Sequence, residues 1–254
     1  MFVQAAGRRV DAQWIAPRID GAPTLVFLHE GLGSIGLWRD FPQAIADRTG
    51  FGALVYSRYG NGRSESLSAP RDVRYMHDEA SIALPELLDR FEIERALLVG
   101  HSDGASIALI YAAEHPQRVS ALVVEAPHVF VEELSVRSIA EIGQRYRNGD
   151  LRERMARHHD DVDATFFGWN DIWLHPDFLA WNIEPVLARI EAPVLCIQGA
   201  QDEYGTLAQV EAIARDVKGP VDRVILDRCG HSPHRERERD TTAILAGWAT
   251  ASVS

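Results

Sequence analysis

Three side chains that can work together on an acyl bond stand at matching places in this sequence. Ser102 lies in Gly100-His101-Ser102-Asp103-Gly104, directly after the apolar run Ala96-Leu97-Leu98-Val99 and before an Ala-rich, helix-patterned stretch, Ala105 to Ala113. A strand, a sharp turn and a helix form the setting in which G-x-S-x-G exposes a nucleophilic serine, and the turn leaves no room for side chains at the glycines. Further on, Pro193-Val194-Leu195-Cys196-Ile197-Gln198 reads as a short strand followed by Gly199-Ala200-Gln201-Asp202. Val224-Ile225-Leu226 reads as another, followed by Cys229-Gly230-His231. An acid and a histidine therefore each follow a strand. A serine hydroxyl is a weak nucleophile unless a base adjoins it. A histidine can take the proton and return it to a leaving group, and a carboxylate can fix the imidazole tautomer.

The chain order Ser, Asp, His is that of the α/β-hydrolase triad. With His29-Glu30-Gly31, Gly100 to Gly104, Asp202 and Gly230-His231 in family order, the sequence resembles the α/β-hydrolase superfamily over nearly its whole length. Within it, the chain looks like a bacterial branch marked by His-Glu-Gly-Leu-Gly-Ser and Gly-His-Ser-Asp-Gly. The resemblance implies Ser102 as nucleophile, His231 as general base and Asp202 as the residue that orients it. Glu203 competes with Asp202 and His234 competes with His231; the distances from the strand ends favour Asp202 and His231.

Acyl transfer also needs two backbone N–H donors for the developing oxyanion. One is expected at Asp103, after the nucleophile. Aligned on His29, the other falls on Gly31, with Leu32 as the alternative. Many relatives have His-Gly where this chain has His29-Glu30, which sets a carboxylate beside the site. Glu30 is therefore expected to be held by a hydrogen bond or a cation, Arg58 or Arg63, or else to face the pocket and disfavour anionic substrates. Phe166-Phe167-Gly168-Trp169-Asn170-Asp171-Ile172-Trp173, with Phe178 and Trp181, is unusually aromatic. Trp169, Trp173 and Trp181 are expected to line an apolar pocket as well as to pack helices together. His158-His159-Asp160-Asp161 looks metal-like, but adjacent helix residues point in different directions, so neither metal nor cofactor is expected.

These residues need a scaffold that brings several strand ends together. Thr24-Leu25-Val26-Phe27-Leu28 is a continuous apolar run, as in a strand buried on both faces. Residues 41–49 read as a helix, Ala53-Leu54-Val55-Tyr56 as a strand, and residues 77–91 as a helix that Pro85 kinks. Residues 3–15 suggest a hairpin. Strands alternating with helices imply a mostly parallel sheet with both faces covered, the α/β class. The alternation stops after Ala126-Pro127 and resumes at Pro193. Residues 128–185 are read as a helical cap over Ser102, inserted into a core formed by residues 1–127 and 186–254. The run Arg235-Glu236-Arg237-Glu238-Arg239-Asp240 reads as the solvated start of the last helix.

At 254 residues, 46% hydrophobic and 25% charged, the chain suits one large soluble domain. A net charge of −11 argues against nucleic acid and anionic membranes as partners. No apolar run approaches the roughly 18 residues of a membrane span. The N-terminus lacks a signal-peptide pattern, and the only two cysteines, Cys196 and Cys229, lie in or beside core strands and suit free thiols. A cytoplasmic enzyme is expected. The leading activity is hydrolysis of a small ester, thioester or lactone, carboxylesterase-like, through an acyl-enzyme. A C–C bond hydrolase of aromatic ring-cleavage products and a ligand receptor on the same fold are the alternatives.

Overall fold

A computed structural model describes residues 1–253. The strands are β1 (Phe2–Ala5), β2 (Arg8–Ile15), β3 (Thr24–Leu28), β4 (Ala53–Tyr56), β5 (Ala96–His101), β6 (Val119–Glu125), β7 (Val194–Gly199) and β8 (Val221–Leu226). They form one sheet in the order β1-β2-β4-β3-β5-β6-β7-β8. β1 and β2 make an antiparallel hairpin. Its two-residue turn holds Ala6 and Gly7 at positive φ, the conformation whose twist matches such hairpins. β2 also runs antiparallel to β4, and every later pairing is parallel.

The apolar runs of β3 to β7 are buried on both faces because the pleat sends successive side chains to opposite sides. Val26, Leu28, Leu98, Leu122 and Val124 enter one core, with the helices Leu84–Arg90, Asp103–Glu114 and Leu207–Asp216. Leu25, Phe27, Leu97, Val99, Ala121 and Val123 enter the other, under Phe41–Thr49 and Glu238–Ser252. Residues 75–90 form one unbroken helix, and a π turn over Glu79–Ala83 directly precedes Pro85; such a bulge is one way a helix takes in a residue that cannot donate to the ladder.

From β3 the chain steps to one side to make β4 and then returns to place β5 on the other side. The crevice outside the carboxyl ends of β3 and β5 is thus a topological switch point, the usual ligand site of open α/β sheets. His29 follows β3 and Ser102 follows β5, so these two loops flank that crevice. Between β6 and β7 the chain is helical instead, with Glu133–Asn148, Leu151–Met155, Val162–Trp173 and shorter turns. No helix among the described residues is long and apolar enough to cross a membrane. Cys196 and Cys229 are buried free thiols.

Candidate active site

The turn after β5 is tight for reasons visible at both glycines. A Cβ on Gly100 would lie 2.6 Å from Cα of Ala105, and one on Gly104 would lie 2.7 Å from the His29 carbonyl oxygen and closer still to that of Leu28. The helix Asp103–Glu114 therefore packs directly on β3 and β5, and Ser102 between them adopts φ 53°, ψ −119°. Such a conformation costs a non-glycine residue on the order of 1–3 kcal/mol. It is held from both sides: the Ser102 amide donates to Glu125 O at 2.9 Å, and the amides of Ala105 and Ser106 donate to Ser102 O.

Ser102 Oγ lies 2.9 Å from His231 Nε2, and His231 Nδ1 lies 2.9 Å from each carboxylate oxygen of Asp202. Gly199 ends β7, and the turn after it carries Asp202, whose Oδ1 accepts the amides of Tyr204 (2.8 Å) and Gly205 (3.2 Å). Its Oδ2 accepts from Gln198 Nε2 at 2.7 Å. Burial opposes charge on Asp202, but the facing His231 and these donors outweigh it and bring its pKa down to about 2. An ionised Asp202 can only accept, so Nδ1 carries the proton and Nε2 is free to accept from the serine hydroxyl. Glu203 is exposed and does not meet His231. His234 is also elsewhere: it is buried, with Nδ1 2.8 Å from the fully buried Glu125.

The His231 loop is fixed by groups that carry no motif. His101 Nε2 donates to the His231 carbonyl at 2.7 Å. Glu236 accepts the amides of Gly230 and Ser232, so the charged run there is partly a clamp on this loop and not solvated surface alone. His128 packs beside His231 and Trp173 with ring centroids 5.7 and 5.1 Å away. Its burial, with the neighbouring His231, lowers its pKa to about 3, so it stays neutral.

The loop after β3 is held by its carbonyls. Arg58 Nη2 donates to Glu30 O (2.8 Å) and His29 O (3.1 Å), and Asn61 Nδ2 donates to Gly31 O (3.0 Å) and Gly33 O (3.1 Å). The Arg58 amide donates to His29 Nε2, which leaves the proton on Nδ1 for Glu30 O. In a trans peptide the C=O and the next N–H point in opposite directions. Pinning Glu30 O on Arg58 thus turns the Gly31 N–H away from Arg58, and the same holds for Leu32 opposite Asn61. Neither the Gly31 nor the Asp103 amide has a protein acceptor among the described residues. A Cβ on Gly31 would lie 2.9 Å from Cγ of Trp169 and nearer still to its Cδ1 and Nε1, so only glycine fits beneath that indole.

The Glu30 carboxylate does not meet Arg58 or Arg63. It lies 3.6 Å from Nδ1 of His101 and is about a quarter exposed. Burial opposes its charge, yet His101 and the other nearby histidines hold it well below the usual carboxylate range; burial likewise opposes protonation of His101, and Glu30 overrides it and raises that pKa. The Asp103 carboxylate is compensated as well. It accepts from Tyr75 Oη (2.7 Å) and Trp173 Nε1 (3.3 Å), with Arg58 3.9 Å away.

A cavity of about 650 Å³ opens over Ser102 and His231. Gly31, Asp103, Trp169 and Trp173 line it, together with Ile139 and Met155 from the helical segment between β6 and β7. Trp181 does not; it stacks on Phe178 with centroids 5.5 Å apart. His159 bridges loops, accepting from the Gly62 amide (2.9 Å) and facing Leu32 O (3.0 Å), and Asp161 caps the helix Val162–Trp173.

A model of the alpha/beta hydrolase fold family matches residues 23–172, more than half of the chain. The protein is an alpha/beta hydrolase. It is 30% identical to a 2-succinyl-6-hydroxy-2,4-cyclohexadiene-1-carboxylate synthase of Enterobacter sp. (strain 638), over 89% of this chain and 91% of that one. It is 38% identical to a putative carbamate hydrolase of Caulobacter sp. (strain K31) over a shorter stretch, 39% of this chain and 35% of the other. Among solved structures, the enol-lactonase from Burkholderia xenovorans LB400 superposes with a TM-score of 0.78 at 21% identity, covering 98% of this hydrolase and 100% of the lactonase. That similarity concerns the fold.

Proposed function

We propose that this alpha/beta hydrolase cleaves a small ester, thioester or lactone through an acyl-enzyme on Ser102. The observation that carries the reading is the row Asp202–His231–Ser102, with each contact at 2.9 Å, set in a strained turn beneath an open-mouthed cavity. His231 Nε2 takes the hydroxyl proton as Oγ attacks the carbonyl carbon. The carbonyl oxygen becomes an oxyanion and is met by the amides of Gly31 and Asp103. His231 then returns the proton to the leaving alkoxide or thiolate. Water attacks the acyl-enzyme by the same route in reverse, and Ser102 is restored. Residues 128–185 act as the cap: Trp169 and Trp173 face the acyl group and exclude water, while Trp181 supports them by packing.

The test is labelling with a fluorophosphonate, mass spectrometry of the adduct, and rates on a panel of short esters, thioesters and lactones. The adduct is expected on Ser102, and Ser102→Ala is expected to lower kcat by a factor on the order of 10⁴ or more, because the three residues act as a unit. An adduct on another serine, or full activity in Ser102→Ala, refutes the assignment. The Enterobacter relative favours one second reading. Its name is that of a synthase, so the same row can also be read as base machinery that removes a proton from a carbon acid. That route forms no acyl-enzyme, and the absence of any acyl adduct during turnover would select it.

A further inference from the structure

The mouth of the cavity over Ser102 is cationic although the chain as a whole carries a net charge of −11. Arg39, Arg154, Arg157 and Arg235 line it, all exposed. They come from separate places: the loop after the short helix Ile35–Trp38, the turn around Leu151–Met155, and the helix Pro233–Glu236. Arg154 has one distant partner, Asp150 at 3.7 Å. Arg39, Arg157 and Arg235 make no ion pair or side-chain hydrogen bond among the described residues. Elsewhere Arg8 pairs with Glu65, Arg118 with Asp89, Arg152 with Asp163 and Arg215 with Glu184, whereas Arg48, Arg63 and Arg189 are exposed and unpaired among the described residues; what sets the four apart is that they line one cavity. Arg39 follows the helix Ile35–Trp38 at φ 52°, ψ −131°.

Of the acids lining the cavity, Asp103 and Glu30 are already compensated, by Tyr75, Trp173 and Arg58 and by His101 respectively. Only Glu203 faces the cations without a partner among the described residues. The lining is therefore apolar beside Ser102, at Trp169, Trp173 and Ile139, and positive at the rim. Guanidinium groups left unpaired around a pocket fit carboxylate oxygens in a forked geometry.

We propose that the substrate is an acyl compound with a carboxylate at the end remote from the scissile bond, held by Arg39, Arg154, Arg157 and Arg235. This deepens the reading of Ser102 as nucleophile and rests on it. The paired comparison is the mono-p-nitrophenyl ester of glutaric acid against p-nitrophenyl valerate, which have acyl chains of equal length and differ in the terminal carboxylate. The ratio of kcat/KM is expected to favour the acid ester by about tenfold or more and to shrink with added salt. In Arg157→Gln/Arg235→Gln it is expected to fall towards one, whereas Arg189→Gln, an exposed arginine outside the cavity, leaves it in place. A ratio near one in the wild type, or a ratio unchanged in the double variant, overturns the proposal while leaving the hydrolase reading intact.

Binding is read separately from catalysis in Ser102→Ala. Valerate is expected to change the tryptophan fluorescence of the cavity saturably and neutral valeramide is not. Loss of that difference in the added double variant supports the site even if neither ester is turned over. Equal responses to the two compounds, or none, count against it.

Discussion

Gly31→Ala tests the oxyanion loop and the ring above it together. The new Cβ would lie 2.9 Å from Cγ of Trp169 and closer to the outer atoms of the ring, against the roughly 3.5–4.0 Å at which carbon atoms rest. Neither side yields easily. The loop is pinned by Arg58 on Glu30 O and by Asn61 on Gly31 O. Trp169 is 9% exposed, projects from the helix Val162–Trp173, and meets Phe166 edge-on. Forcing one methyl into such a contact costs about 1–3 kcal/mol, or a fall in Tm of roughly 2–4 °C per kcal/mol in a chain of this size. If the strain is relieved by swinging the Gly31 amide, the lost donor lowers kcat by about 10²–10³.

A double-mutant cycle separates these effects. Trp169→Ala leaves a hole and costs about 3–5 kcal/mol by itself. Adding Gly31→Ala to that background meets no ring, so the second change is expected to be nearly silent in both urea unfolding and kcat on a p-nitrophenyl ester. The coupling energy then equals the overpacking cost with opposite sign. Two results refute the reasoning: a Gly31→Ala variant with wild-type Tm and kcat, or a rate loss of the same size when Trp169 is absent.

Two further predictions concern buried histidines. His234→Ala strips the fully buried Glu125 of its imidazole partner; breaking a buried pair this way costs about 3 kcal/mol or more, so Tm measured by calorimetry is expected to fall by roughly 6–12 °C while activity per folded molecule is retained, and an unchanged Tm refutes the pair's role. His128, with its pKa lowered from 6.5 to about 3 by burial and by His231, binds no proton in the folded state between those values, whereas the unfolded chain does; stability is therefore complete above pH 6.5 and declines as pH falls, by about 1.4 kcal/mol per pH unit from this residue. His128→Gln is expected to flatten the dependence of the unfolding free energy on pH between 6.5 and about 5, and parallel curves for variant and wild type overturn the assignment.

Ser102, Asp202 and His231 were legible because each follows a strand at a short, fixed remove. A parallel sheet lines up its strand ends, so the position of a residue in its own segment nearly places it in the molecule. The same logic points to Gly31 and Asp103, whose amides have no protein acceptor among the described residues, and the apolar runs marked the buried strands. What the sequence concealed are contacts whose partners come from loops far apart in the chain. His101 looks like filler in the serine motif, yet it holds the carbonyl of His231, 130 residues away. Glu30 reads in sequence as a misplaced carboxylate to be held by Arg58 or Arg63, but neither reaches its carboxylate. Arg58 donates to the Glu30 carbonyl, while the Glu30 carboxylate lies against His101. His234 resembled a rival base, and only the packing of β6 against the final turn reveals its partner, Glu125.

The cationic rim was hidden for the same reason and carries the larger functional consequence. Arg154 and Arg157 lie in a charged helical stretch, Arg235 opens a run of alternating charge, and Arg39 follows a tryptophan; in one dimension each reads as solvated surface. Net charge misleads as well, since −11 averaged over the chain suggests repulsion of anions. A cleft with low-dielectric walls responds instead to its own lining, and here that lining includes four exposed guanidinium groups. Glu30 fits that arrangement. A free carboxylate beside the Gly31 amide would oppose both the oxyanion and an anionic substrate, and its pairing with His101 removes that opposition where the acyl group has to sit.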